Sequence, residues 1–131
     1  DIRELTSGYL AGEEALRKQD GERFHKQQSP LALLLRIILS SSKIGDMVFD
    51  PFAGTGTALV VAEQLGRKSI GIELDPSNVE CIKNRLSCVT KADNIQKFYQ
   101  DYLCTSNLKD IWDVDFILSL PNKTAATIKL F

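Results

Sequence analysis

Two glycines and the acids that flank them carry most of the chemistry in this 131-residue sequence. Gly54 and Gly56 follow a short apolar run that ends in Asp50, and a helix-patterned stretch begins directly after them. Glycine accepts positive φ and has no side chain, so a ligand can approach the backbone closely at such a turn. The amide groups of a helix that begins there favour an anionic group. We therefore expect the segment Asp50–Thr57, called the glycine loop below, to bind a ligand.

The residues around this loop narrow the choice of ligand. A dinucleotide-binding turn would have a third glycine where Leu59 stands, and a P-loop would have a lysine where Thr57 stands. Glu73 ends the next apolar run, and an acid at the end of a second strand can accept hydrogen bonds from both hydroxyls of a ribose. The alternative is that Glu73 is a solvated strand-end carboxylate. Combined with the glycine loop, Glu73 indicates an adenosine-containing cofactor that does not require a pyrophosphate.

The elements that must position these residues alternate between helices and strands. Ser29 and Pro30 predict a helix start, with Ser29 as N-cap, and apolar residues follow at helical spacing. Asp75 and Pro76 predict another helix start by the same logic. We predict strands at 46–49, 69–73, 97–100 and 114–118, and helices at about 30–39, 58–65, 76–86 and 107–111. This alternation predicts an α/β fold with a mostly parallel sheet and a ligand at the carboxyl ends of the strands.

Composition limits the class of protein. With 44% hydrophobic residues the chain can form one globular core. A net charge of −1 means that any nucleic-acid contact needs a local basic patch or a segment missing from this sequence. We divide it into a polar amino-terminal segment, 1–24, with a short helix near 13–18, and a ligand-binding domain, 25–131. No run approaches the ~18 apolar residues of a membrane span, and no secretory pattern is visible, so we expect a cytoplasmic protein. The three cysteines lack metal-ligand spacing, and Cys81 and Cys88, seven residues apart on a predicted helix, are expected to be buried thiols rather than a disulfide.

The glycine loop, read as Asp-Pro-Phe-x-Gly-x-Gly-Thr, resembles the first motif of S-adenosylmethionine-dependent DNA methyltransferases that modify the exocyclic amino group of adenine or cytosine. His25-x-x-Gln28-Ser29-Pro30 is similar to the family's His-Pro-Thr-Gln-Lys-Pro segment. The stretches 66–73 and 84–86 match its second strand and the end of the following helix. The resemblance covers about 24–86. It implies a Rossmann-like doubly wound methyltransferase sheet, mostly parallel, which is either complete or limited to its cofactor-binding half.

The resemblance also implies S-adenosylmethionine as cofactor, and no metal. It places Asp50 and the glycine backbone near the methionine end, Glu73 on the ribose, and Gln28 with Ser29 on the methionine carboxylate. Lys26 and Ser29 replace a proline and a lysine of the family pattern, so we expect a weaker carboxylate contact. Asp101 is either a contact to the adenine amino group or an ordinary loop acid. The full predicted set comprises His25, Gln28, Ser29, Asp50, Pro51, Phe52, Ala53, Gly54, Gly56, Thr57, Glu73, Leu74 and Asp101.

The catalytic loop is the weakest part of the resemblance. The family places an Asp/Asn/Ser-Pro-Pro-aromatic loop after strand four, where a ring stacks on a base flipped out of the duplex. The nearest candidates here are Ser119, Pro121 and Asn122, which include one proline and no aromatic ring. Either this is a degenerate catalytic loop or it is a plain turn, with the catalytic half elsewhere. We also expect the apolar edge at 116–118 to be covered by another chain, a dimer partner or a helix at 125–131.

Three functions are consistent with these observations. The first is a DNA amino methyltransferase of a restriction–modification system, complete or as its cofactor-binding part, acting on duplex DNA. The second is a catalytically inactive or partner-dependent methyltransferase-like subunit. The third is an RNA guanine amino methyltransferase, since that group carries a related glycine turn. The segment at 25–28 and the Gly-Arg-Lys stretch at 66–68 favour DNA over RNA.

Overall fold

The computed structural model describes residues 16–17, 19–21 and 28–113. The elements within this part of the chain are α1 (Leu31–Ser41), β1 (Met47–Asp50), α2 (Thr57–Gln64), β2 (Lys68–Gly71), α3 (Pro76–Ser87), a 3₁₀ helix (Ile95–Tyr102) and α4 (Leu108–Ile111). The predicted strand at 114–118 and the predicted helices at 125–131 and, for the most part, 13–18 lie outside the described residues. In the part of the chain that is described, no helix is long and apolar enough to cross a membrane.

The two described strands form a parallel pair, as the alternating pattern predicts. Met47 lies opposite Lys68 and Asp50 lies opposite Gly71, with α2 as the connection between the strands. The pairing continues one step past β2, because the Ile72 amide donates to the Asp50 carbonyl at 2.9 Å. This βαβ unit confirms the α/β class and brings the residues after both strands to one edge.

Apolar residues of α1 and α2 form the larger core. The predicted face of α1 is confirmed, because Leu31, Leu35, Ile38 and Leu39 are buried and Leu34 is partly buried. The face packs on Val61 and Ala62 of α2 and on Leu65, the C-cap of that helix. Ile95, Leu108 and Trp112 complete the cluster. A side of each helix is thus removed from water, which is the main source of helix stability in short helices.

A second, smaller core joins α3 to the glycine loop. Its buried members are Ala53, Leu59, Val60, Ile82 and Leu86. The predicted start of α3 is confirmed: Pro76 is its first residue, and the Asp75 carboxylate accepts from the Ser77 amide at 2.8 Å. This contact satisfies one of the amide groups that a helix start leaves without a partner.

The prediction that Ser29 caps α1 is wrong. Pro30 is the N-cap, with φ −65° and ψ 139°, and no side chain caps this helix end. The Pro30 carbonyl accepts the first helical bond from the Leu34 amide at 3.3 Å. The ring fixes φ near the value that both a cap residue and a first helical residue can use, so the proline fits one position earlier than predicted.

The strand predicted at 97–100 is also wrong, because this segment belongs to the 3₁₀ helix. The Asn94 side chain caps the helix by accepting from the Gln96 amide at 2.9 Å. Tyr99 and Tyr102, three residues apart, lie on one side and contact the Trp112 ring edge-on, at centroid distances of 5.1 and 5.6 Å. Residues at i and i+3 share a face in a 3₁₀ helix, so packing on Trp112 selects this conformation over an extended one.

Strand ends and cysteine burial differ in smaller ways from the predictions. β1 ends one residue later than predicted, at Asp50, and β2 ends at Gly71, so Glu73 follows the strand. The three cysteines are free, but only Cys81 is half-buried, while Cys88 and Cys104 are exposed. Burial raises the pKa of the Cys81 thiol.

A buried arginine holds three segments together on the side of α2 opposite its start. The Arg67 guanidinium donates to the Leu65 carbonyl at 2.7 Å, to the Ser42 carbonyl at 2.8 Å and to the Ile111 carbonyl. Burial lowers the pKa of Arg67, and the nearby Asp46 carboxylate opposes this shift. Arg67 therefore anchors the ends of α1, α2 and α4.

Candidate functional site

The glycine loop turns sharply because two of its glycines have positive φ, 54° at Gly54 and 79° at Gly56. The reasons for the two glycines differ. A Cβ atom at Gly56 would lie 2.7 Å from Cγ1 of Ile82 on α3, so this position is required by packing as well as by φ. A Cβ atom at Gly54 would meet nothing within 4 Å. Gly54 is therefore the glycine that leaves open space beside the backbone.

A pocket lies against this loop and brings most of the predicted residues together. It encloses ≈ 160 Å³, less than the about 300–1,000 Å³ of pockets that bury a whole small-molecule ligand. A pocket of this size holds one end of a larger ligand. It is lined by Gln28, Ser29, Leu34, Asp50, Phe52, Ala53, Gly54, Thr55, Thr57 and Ala58.

Two helices begin at this pocket. Gln28 and Ser29 precede Pro30, the N-cap of α1, and Thr57 is the first residue of α2. The start of a helix carries a partial positive charge and amide donors, so each of the two ends favours an anion such as a carboxylate. The Gln28 side-chain oxygen accepts from the Leu16 amide at 3.0 Å, which fixes the side chain at the rim.

One carboxylate lies in the same lining. The Oδ1 atom of Asp50 accepts from the Phe52 amide at 3.0 Å, which sets the direction of the side chain where β1 ends. The pocket therefore combines one negatively charged group, the Asp50 carboxylate, with two helix starts that carry partial positive charge. Such a pocket matches a group that carries both charges, as the amino and carboxylate groups of a free amino acid do.

Glu73 lies at the same edge of the sheet, together with two exposed apolar side chains, Phe52 and Leu74. Of these three residues, only Phe52 lines the pocket. The Ala53 amide donates to the Ile72 carbonyl at 2.9 Å, which holds the chain leading to Glu73 beside the glycine loop. Oε1 of Glu73 accepts from the Asp75 amide at 2.8 Å, so its carboxylate is oriented locally. Phe52 and Leu74 are 89% and 90% exposed. Fully exposed large apolar side chains beside a pocket are typical of a surface that a ligand covers.

The remaining predicted residues are distributed as follows. Pro51 is exposed in the turn after β1, and Gly56 is buried against α3 rather than in the pocket lining. Asp101 is exposed near the end of the 3₁₀ helix, so the strand end on which its predicted role depended is not there. Among the described residues, no group of three His, Cys, Asp or Glu side chains could hold a metal ion. The predicted residues outside the described part of the chain are His25, Ser119, Pro121 and Asn122.

Sequence reasoning missed the residues behind the loop. Arg85 of α3 donates to the Thr55 carbonyl at 2.7 Å and to the Thr57 hydroxyl at 3.2 Å, and it forms a buried ion pair with Asp93. A signal was available: Arg85 lies three residues after Ile82 on the apolar face of its helix, where a charged residue needs a buried partner. The partner itself could not be identified, because several carboxylates are equally plausible from the sequence.

The family model and the sequence relatives that match this chain describe the same kind of protein. The model of a family described as DNA methylase matches residues 9–84, more than half of the chain. The chain is 45% identical over 75 residues to the Type II methyltransferase M.HinfI of Haemophilus influenzae, a match that covers 57% of this chain and 21% of that protein. It is 48% identical over 62 residues to the Type II methyltransferase M2.DpnII of Streptococcus pneumoniae, covering 47% of this chain and 23% of that protein.

Among solved structures, the chain is similar to a DNA modification methylase from Thermus thermophilus complexed with S-adenosyl-L-methionine. That match has 35% sequence identity and a TM-score of 0.45, and covers 62% of this chain and 39% of the other. A second structure of the same protein gives a TM-score of 0.43. Both scores are below 0.5, so the family assignment depends on the sequence relationships. The chain spans about a fifth of the length of the two curated relatives.

Proposed function

This chain belongs to the DNA methylase family, and we propose that it binds S-adenosylmethionine as the methyl-donor site of an enzyme acting on the exocyclic amino group of adenine or cytosine in DNA. The observation that carries the proposal is the pocket where Asp50, the glycine loop and the starts of α1 and α2 meet. Its size suits one end of the cofactor rather than the whole molecule.

The charges of the pocket support placing the methionine end there. The carboxylate of that group would lie at the helix starts, beside Gln28 and Ser29, and its ammonium group would lie at Asp50. The open space at Gly54 lets the cofactor lie close to the protein backbone. These contacts hold the sulfonium centre near the loop, and the cofactor itself supplies the methyl group.

The nucleoside end is proposed to extend along the sheet edge. Glu73 accepts hydrogen bonds from the ribose hydroxyls. Phe52 and Leu74 would then cover the adenine, which removes their exposed apolar surface from water. The proposed cofactor-binding residues also include His25, Pro51, Ala53, Gly56 and Thr57. Asp101 stays among them without the strand end from which its role was predicted.

Methyl transfer is proposed to need more protein than these residues. Met47 and Phe49, on alternate positions of β1, are 53% and 58% exposed, so none of the residues at 16–17, 19–21 and 28–113 covers this face of the sheet fully. Cover by a second subunit, a homodimer partner or another part of the same protein would also bring a ring to stack on the target base.

In this scheme Ser119, Pro121 and Asn122 are candidates to accept hydrogen bonds from the target amine. The exposed face is also what favours the second candidate function, a partner-dependent subunit. A cytoplasmic location is part of the proposal.

Calorimetry with S-adenosylmethionine tests the binding part of the proposal. Asp50→Asn keeps the acceptor for the Phe52 amide but removes the charge, and hydrogen bonds to charged groups contribute about 1.5–3 kcal/mol. We expect an affinity about tenfold lower or weaker still. The matched control is Asp46→Asn, at the opposite end of β1, where the carboxylate accepts from the Lys43 amide. Equal affinities for both variants, or no binding by the wild-type chain, would refute the site.

Transfer of a labelled methyl group to duplex DNA tests the remainder. Binding with transfer supports a complete enzyme, and binding without transfer supports the partner-dependent subunit. Transfer that appears only after a second polypeptide is added would support cover of the exposed face by that polypeptide. Labelled RNA in place of DNA would indicate the third function instead.

A further inference from the structure

A buried ion pair lies behind the glycine loop and has no place in the proposed contacts to the cofactor. Arg85 and Asp93 side chains are 4% and 3% exposed. Two parallel hydrogen bonds join them, from Nη2 to Oδ1 at 2.7 Å and from Nε to Oδ2 at 3.1 Å. This forked geometry fixes the guanidinium plane as well as its position.

The remaining nitrogen of the guanidinium holds the loop. Nη1 of Arg85 donates to the Thr55 carbonyl at 2.7 Å and to the Thr57 hydroxyl at 3.2 Å. Thr55 and Thr57 line the pocket, whereas Arg85 does not. Thr55 is 4% exposed. Removing Arg85 would therefore leave the Thr55 carbonyl buried and deprived of its charged hydrogen-bond donor. The arginine therefore acts on the loop from the side that the ligand does not reach.

The acid that holds Arg85 is itself tied to the helix that starts in the loop. Gln64, the last residue of α2, donates to the Asp93 carbonyl at 2.8 Å and accepts from the Ile95 amide at 3.2 Å. A closed circuit results: α2 begins at Thr57, ends at Gln64, reaches Asp93, and returns through Arg85 to Thr57. Apart from α2 itself, each step of this circuit is a hydrogen bond between buried groups, so Asp93 is connected to both ends of the helix that begins in the loop.

We propose that Arg85, oriented by Asp93, is a positioning residue for the cofactor loop: it holds the Thr55 carbonyl and the Thr57 hydroxyl so that the loop accepts the methyl donor. The cofactor part of this inference rests on the proposed function, whereas the ordering of the loop by Arg85 does not. Neither Arg85 nor Asp93 lines the pocket, so the pair acts on affinity through loop geometry alone.

Three variants of the full chain test the inference. Asp93→Asn removes the charge that orients Arg85, and Arg85→Lys removes the fork that allows one side chain to hold both the acid and the loop. Arg67→Lys is the matched control, because Arg67 is also a buried arginine bonded to backbone carbonyls, but at the other end of α2. Each variant is measured by thermal unfolding, by calorimetry with S-adenosylmethionine well below its Tm, and by hydrogen exchange resolved to short segments.

All three variants are expected to lower the Tm. Only Asp93→Asn and Arg85→Lys are expected to raise the Kd for S-adenosylmethionine, by about 2- to 30-fold, and to speed exchange of the amides at 54–58. Arg67→Lys should instead speed exchange near 66–68 and leave the Kd unchanged. If the Kd rises equally in all three, or if exchange rises uniformly along the chain, the pair is merely structural and the inference is overturned.

Failure of the proposed function gives a different result. If the wild-type chain does not bind S-adenosylmethionine, the proposed ligand is wrong, and the exchange measurement alone decides whether Arg85 and Asp93 order the loop. Unchanged exchange at 54–58 in both variants would overturn the inference whether or not the cofactor binds.

Discussion

Alanine at three positive-φ glycines should separate backbone strain, packing and ligand contact. Gly45, Gly54 and Gly56 have φ of 88°, 54° and 79°. A left-handed alanine costs about 1–2 kcal/mol, and the less flexible unfolded chain returns about 0.4–1 kcal/mol. We therefore expect Gly45→Ala and Gly54→Ala each to lower the free energy of unfolding by about 1 kcal/mol, because a Cβ atom at either position meets nothing within 4 Å.

Gly56→Ala should be more destabilising than either. Its Cβ atom would lie 2.7 Å from Cγ1 of Ile82, and overpacking of this kind costs about 1–3 kcal/mol in addition to the strain. Ile82→Ala removes the atom in conflict, so the Gly56→Ala/Ile82→Ala double variant should lose less than the sum of the single variants. Chemical denaturation of these variants measures the free energies.

Calorimetry with S-adenosylmethionine then separates the two open glycines. Gly45 lies in the turn before β1, away from the pocket, whereas Gly54 lines it. Gly54→Ala should weaken binding while Gly45→Ala, equally strained, leaves it unchanged. The reasoning is refuted if both variants bind as the wild type does, or if Gly56→Ala is no less stable than Gly45→Ala.

Three further predictions follow from single side chains. Glu73→Gln should lower the affinity for S-adenosylmethionine about tenfold, since hydrogen bonds to a charged acceptor contribute about 1.5–3 kcal/mol; equal affinity in calorimetry would remove Glu73 from the site. Trp112→Ala should cost about 3–5 kcal/mol of stability, because the ring is buried in the larger core; a Tm within about 2–3 °C of wild type, about 1 kcal/mol or less, would contradict that packing. Burial raises the pKa of Cys81, so its thiolate fraction at about pH 8 is lowered and iodoacetamide should modify it after Cys88 and Cys104. Mass spectrometry of the alkylated chain checks the order, and equal rates would contradict the burial.

Local signals predicted the part of the chain around the glycine loop. Asp75 and Pro76 set the start of α3 through contacts within two residues, and the glycine loop lies between two apolar runs that form paired strands. Such features are determined by residues close to one another in the sequence, so the sequence alone locates them. The same holds for Asp50 and Gly54, which the end of the first strand brings to one pocket, whereas Gln28 was expected there only from the resemblance to the methyltransferase family.

Features that depend on distant contacts were not predictable in the same way. The aromatic run at 97–100 is compatible with a strand, and only its packing on Trp112 selects the 3₁₀ helix. The pairing of Arg85 with Asp93, and of Arg85 with Thr55, depends on how α3 lies behind the loop. A sequence shows that a buried arginine needs a partner, but the three-dimensional arrangement chooses which one.

The contact between Arg85 and Thr55 also has a consequence for the order of folding during synthesis. The two residues are 30 positions apart, and Asp93 follows Arg85 by another eight. At about 5–20 residues per second, the ribosome releases Arg85 about 2–6 s after the glycine loop, whereas helices and turns form within microseconds. The nascent glycine loop therefore emerges before α3, the helix that carries Arg85, has been synthesised. If Arg85 positions the loop as proposed, the proposed cofactor site becomes competent only when the chain through Asp93 has emerged, and the methyl donor would then stabilise the completed unit rather than its first strand and helix.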